Sequence, residues 1–139
     1  VWRARTWGLI VAGAVPTAWL VAAVGYPLPV RSAARDLTLL LLWSVAEEMV
    51  FRGGVQPALA RWAPARRELA GISMANALTS LLFCAAHAWS KPALVTLGLF
   101  PISLLLGVSM ERSGRLWVPV ALHAWFNALL YAFSVIGRG

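Results

Sequence analysis

Residues 37–60 form an apolar run, LTLLLLWSVAEEMVFRGGVQPALA, that is long enough to cross a bilayer but carries two adjacent carboxylates and an arginine. A charge near the bilayer centre costs about 2.5–3.5 kcal/mol on insertion scales, so an ionisable residue at membrane depth is read first as a functional group with a partner. One partner is local. Glu48 and Arg52 are four residues apart with the acid first, the better orientation for a pair on a helix. Glu47 lies about 100° round the helix from Glu48. It has no counter-ion within its own segment, and the rest of the chain must supply one.

Composition supports a membrane setting. Charged residues make up 12% of the chain and hydrophobic ones 60%, against about 25% charged in a soluble domain. The 139 residues suffice for about five spans of ~20 residues with short loops. The expected fold is therefore all-α, a polytopic membrane helical bundle of about five transmembrane helices, forming one domain over 1–139 with its motif-bearing core at about 37–130. The net charge of +7 does not signal nucleic-acid binding, because the arginines sit at the ends of apolar runs. A single cysteine, Cys84, precludes an internal disulfide and reads as a small buried hydrophobe. The chain opens on Val1 rather than methionine, which leaves room for helices ahead of it.

Five spans are expected along the chain. The first is about Thr6–Val24 with a kink at Pro16; its apolar stretch is longer than a signal-peptide h-region. A proline-rich turn ends at Asp36, the expected N-cap of the second span, about Leu37–Ala60. Gly53, Gly54 and Pro57 weaken that helix's last turns. A basic loop leads to span three, about Ile72–Trp89. Span four is about Ala93–Met110, and ERSGR follows with its glycine in a turn. Span five is about Leu116–Ile136. Arg3, Arg5, Arg61, Arg66, Arg67, Arg112 and Arg115 fall on one side, against Arg31, Arg35, Lys91 and Arg138 on the other. That bias predicts an N-terminus inside and a C-terminus outside. Trp2, Trp7, Trp62, Trp89 and Trp117 near the span ends suit an aromatic belt, while mid-span Trp43 and Trp125 read as packing residues.

Beyond the charged motif, the strongly polar side chains expected at membrane depth are Asn76, His87, His123 and Asn127. His123 and Asn127 are four apart and share one face of span five. Glu47 falls about 15 Å in from Leu37, and His123 and Asn127 about 10 and 16 Å in from Leu116. His87 reaches a comparable depth, about 16 Å, only if span three enters the hydrocarbon near Asn76. A lone buried histidine is more often a packed core residue than a catalyst. Two histidines beside a carboxylate pair, in a chain otherwise nearly free of polar core residues, point to chemistry.

Two chemistries use this set. In one, Glu47 is a general base on a water that His87 shares, and His123 with Asn127 donates to the oxyanion of an amide under hydrolysis. That scheme needs no cofactor. In the other, Glu47, His87 and His123 bind zinc. Non-catalytic alternatives are a membrane immunity or assembly protein, and a proton-coupled transporter that relays through the same groups.

Three patterns now stand in order on hydrophobic segments: EExxxR at Glu47, Glu48 and Arg52; FxxxH at Phe83 and His87; HxxxN at His123 and Asn127. Together with the Phe-Arg-Gly after the acids and the stretch GVSMERSGRLWVPVALH, they resemble the CPBP family of intramembrane proteases, also called Abi or CAAX-protease-like. The resemblance implies a glutamic-type endopeptidase. Glu47 would be the base, His87 its partner on the water, His123 and Asn127 the oxyanion hole, and Glu48, Arg52 and Phe83 structural support. The implied partner is a membrane-anchored protein substrate in the bilayer, with no nucleic acid. The implied location is the bacterial inner membrane. The chain's small size is similar to that of the sorting-type members, the myxosortases, which clip C-terminal transmembrane anchors.

Overall fold

A computed structural model describes residues 4–23 and 33–136. The elements are α1 (Ala4–Ala23), α2 (Ala33–Val50), a π-helical turn (Phe51–Val55), α3 (Gln56–Ala60), a 3₁₀ turn (Ala63–Arg66), β1 (Glu68–Leu69), β2 (Ile72–Ser73), α4 (Met74–Ala88), α5 (Ala93–Ser113) and α6 (Trp117–Ile136). The all-α expectation holds apart from one two-stranded hairpin. Contacts divide the chain into two units, Val1–Ala46 with Val120–Gly139, and Glu47–Pro119. The proline-rich turn, Trp2, Arg3, Arg31 and Arg138 lie outside the described residues.

The second expected span runs without a break from α2 through the π turn into α3. Ser44, Glu48, Arg52 and Gln56, spaced strictly by four, are all buried. At 3.6 residues per turn such a row drifts about 40° at each step. The wider π turn, closed by the Gln56 amide donating to the Phe51 carbonyl, takes up part of that drift. It lies where Gly53, Gly54 and Pro57 were expected to weaken the helix. Pro57 sits in the first turn of α3, where a missing amide hydrogen costs little.

Burial is inverted relative to a protein that faces water. Buried side chains include Arg52, Glu48, Asn76, Thr79, Ser80 and Ser103, whereas Leu42, Trp43, Met49, Leu81, Leu94 and Leu97 are exposed. Apolar surface on this scale needs an apolar surrounding, and helices meeting inside one use small and polar residues as contacts. Trp43 is 62% exposed, so it is not the packing residue expected of it. Cys84 is only half-buried. A side chain that faces lipid needs no burial in protein.

The α4–α5 interface follows the same rule. Asn76 Nδ2 donates to the Leu104 carbonyl at 3.0 Å, and Ser80 Oγ to Asn76 Oδ1 at 3.3 Å. A Cβ at Gly107 would fall inside the Asn76 carboxamide, so glycine is what lets the helices approach there.

Several boundaries differ from expectation. Asp36 lies in the first turn of α2 rather than capping it, a place where a negative charge meets the positive helix end. Helix α4 begins at Met74 rather than Ile72, because Ile72 and Ser73 pair with Leu69 and Glu68 across a turn with positive φ at Ala70 and Gly71. Ser73 then caps α4 by accepting from the Asn76 amide at 3.0 Å. Helix α5 continues to Ser113 and ends on Gly114 at φ 64°, the left-handed C-terminal cap that glycine favours. By length and composition α5 and α6 are the helices able to cross a membrane. Met74–Ala88 and Thr6–Val21 are apolar but shorter, and α2 carries Arg35, Asp36, Glu47 and Glu48. Among the described residues, two of the five expected spans meet that test.

Candidate active site

Within the unit Glu47–Pro119, the motif residues of α2, the π turn and α4 form a connected set. Arg52 Nη1 donates to Glu48 Oε1 at 3.1 Å, and both side chains are fully buried. This is the pair expected from the four-residue spacing. Arg52 also reaches α5: its Nη2 donates to the Ser103 carbonyl at 2.8 Å and to Ser103 Oγ at 2.6 Å. The guanidinium lies over the Phe83 ring at 5.0 Å. Phe83 in turn meets Phe51 edge-on at 5.1 Å and lies beside the His87 ring at 4.3 Å. The Phe of FxxxH therefore lies in contact with both a buried guanidinium and an imidazole.

His87 is anchored at Nδ1. Its Nδ1 lies 2.8 Å from the Phe83 carbonyl, which can only accept, so Nδ1 carries the hydrogen. In the neutral ring Nε2 is then the acceptor. It faces Glu47 Oε1 at 3.7 Å, and the side chains of His87 and Glu47 are 16% and 25% exposed. Two acceptors at that separation are too far apart for a direct hydrogen bond and within reach of one donor placed against both, such as water. The partner that Glu47 lacked within its own segment is thus His87, forty residues on.

In the other unit, α6 carries His123, which is buried, and Asn127 one turn later. Asn127 Nδ2 donates to Ser44 Oγ at 2.8 Å and faces the Leu40 carbonyl at 3.5 Å. Ser44 Oγ donates to the Leu40 carbonyl at 2.9 Å. The same face of α6 continues to Tyr131, also buried. Among the described residues, no group of three His, Cys, Asp or Glu side chains gathers as a metal site would.

Ser103 and Ser44 were not singled out from sequence. The available signal was a small hydroxyl inside an apolar run, in GLFPISLLLG and LLLLWSVAE. Such residues serve as interhelical contacts in membranes, but neither local pattern names the partner. A third unforeseen contact is polar: Gln56 Nε2 and Ser73 Oγ both donate to Glu111 Oε1, at 2.9 and 2.5 Å, tying α3 and the hairpin to the end of α5.

Fold and site together define a helical protein with an apolar exterior and an acid–imidazole pair set among buried polar groups. The chain belongs to the Rce1-like family of type II CAAX prenyl endopeptidases, whose family model matches residues 29–129, a segment holding every motif residue from Glu47 to Asn127. It is also similar to a Bacillus subtilis protein described as "Uncharacterized protein YpbD", 32% identical over 100 residues. The match covers 71% of this chain and 45% of that protein, so the chain spans under half the length of this relative. No solved structure matches it. The family is embedded in membranes, in keeping with the two membrane-length apolar helices.

Proposed function

We propose that this chain is an intramembrane endopeptidase of the glutamic type, cutting a peptide bond in a membrane-anchored protein. Glu47 takes the proton of a water as it attacks the scissile carbonyl, and His87 shares and orients that water through Nε2. His123 and Asn127 donate to the oxyanion of the tetrahedral intermediate. The proton taken by Glu47 then passes to the leaving amine. Glu48 and Arg52 neutralise each other and brace α2 against α5. The observation that carries this reading is the setting of His87: a ring held at Nδ1 by a backbone carbonyl turns its Nε2 toward a carboxylate oxygen 3.7 Å away. Family membership supports the proteolytic class.

The chain is further read as a five-span bacterial inner-membrane protein with its N-terminus inside. Its substrate is read as anchored either by a prenylated C-terminus or by a C-terminal transmembrane sorting signal. The test is co-expression with proteins of both anchor types, followed by mass spectrometry of new termini. Wild type should release one anchor class and Glu47→Gln neither. Elemental analysis of the purified protein completes the test, since Glu47 and His87 are also zinc-ligand types. The glutamic reading expects activity in excess chelator. One zinc per chain, with activity lost on chelation, would overturn it.

A further inference from the structure

The geometry points to Ser44 as the residue that orients the Asn127 carboxamide for oxyanion binding; this inference rests on the role proposed for Asn127. Ser44 is fully buried on α2, three residues before Glu47, and belongs to none of the three motifs. Its hydroxyl has one hydrogen, donated to the Leu40 carbonyl at 2.9 Å. What it presents to Asn127 is therefore lone pairs alone. The Leu40 carbonyl beside it, 3.5 Å from Asn127 Nδ2, is an acceptor too.

Two acceptors decide which end of a carboxamide can face them. The NH₂ end satisfies Ser44 Oγ at 2.8 Å, whereas a flipped carboxamide would set Oδ1 against lone pairs. The NH₂ group has two hydrogens, and one contact to Ser44 uses one of them. The second meets the Leu40 carbonyl only at 3.5 Å, a long contact that a developing oxyanion can replace. With alanine at 44 the nearer of the two acceptors is gone and only the 3.5 Å contact to the Leu40 carbonyl remains, so a carboxamide held more loosely presents an acceptor to a negative oxygen for part of its time. Ser44 is thus a positioning residue, acting on the reaction only through Asn127.

The experiment has a spectroscopic arm that needs no substrate. Asn76 and Asn127 are the asparagines of the chain, so selective ¹⁵N-asparagine labelling in detergent yields two side-chain amide pairs. The Asn127 pair is assigned by its loss in Asn127→Ala. Ser44→Ala should shift that pair and narrow the separation of its two proton signals, leaving the Asn76 pair in place. An unmoved Asn127 pair overturns the proposal.

The kinetic arm uses a farnesylated peptide ending in a CAAX sequence. Ser44→Ala should lower kcat roughly 10-fold with KM unchanged, a fraction of the ~10²–10³ that losing an oxyanion donor costs. In an Asn127→Ala background the same change should cost nothing further, and Ser44→Thr, which keeps the hydroxyl, should restore both signal and rate. An equal loss in both backgrounds makes Ser44 merely structural and overturns the proposal. If wild type does not cleave the peptide, the fault lies with the functional reading, and the amide signals alone decide whether Ser44 holds Asn127.

Discussion

Glu47 and Glu48 are neighbours in the chain, and they sit in opposite circumstances. Glu48 is sealed from solvent, and 3.1 Å away a guanidinium that is itself tied to Ser103 and lies over Phe83 neutralises it. Glu47 keeps a quarter of its side chain exposed and faces Nε2 of an imidazole whose Nδ1 is held by the Phe83 carbonyl. A carboxylate held by a buried cation is poorly placed to take and return a proton. One beside an imidazole, and open enough to admit water, is well placed. The 100° between consecutive helix positions is sufficient to separate the two environments.

The comparison breaks most visibly at Glu47. Replacing it with glutamine keeps the shape and removes the proposed base, so cleavage of the substrate found by co-expression should fall about 10²–10⁴-fold. The melting temperature should stay at the wild-type value. A variant that cleaves normally, or that fails to fold, would show that the two acids are not divided as described.

Arg52→Ala tests the other side. Removing one member of a buried pair leaves an uncompensated charge and costs about 3–5 kcal/mol. Folded yield and thermal stability in detergent should both drop, and Glu48→Gln should do the same in smaller measure. Normal melting curves for both variants would remove the pair from the framework.

Asn127→Ala sharpens the contrast, because its loss should fall on turnover alone. The expected drop is on the order of 10²–10³ in kcat, with stability near wild type, as for a removed oxyanion donor. A rise in KM at constant kcat would instead make Asn127 a substrate-binding residue.

The smallest effect is expected at Ser103. Alanine there removes one hydrogen bond to a buried guanidinium and leaves the backbone carbonyl in place, a loss of roughly 1.5 kcal/mol. Thermal unfolding should register it, and the rate should be almost unaffected. A large kinetic defect would mean that Arg52, through Phe83, sets the position of His87 more tightly than the stability of the fold requires.

Much of this was legible before the fold was seen. Low charge and long apolar runs dictated helices in an apolar surrounding. The four-residue interval dictated the Glu48–Arg52 pair, because helix period alone sets that contact. The glycine at 114 and the weakness near Gly53 and Gly54 were likewise local matters of backbone freedom. Trp43 misled because hydropathy has the same sign for a side chain packed in protein and one exposed to an apolar surrounding. The hairpin at 68–73 was hidden because its two-residue strands are too short to show an alternating pattern.

What the tertiary structure alone decided is which distant groups meet. Glu47 faces His87, Arg52 reaches Ser103 fifty-one residues away, and Asn127 meets Ser44 eighty-three residues back. Local sequence determines which side chains a helix carries and how they are spaced round it. The rotation and approach of one helix against another depend on small residues such as Gly107 and on polar contacts such as that of Asn76 with Leu104. Those are properties of the packed pair, and no single segment encodes them.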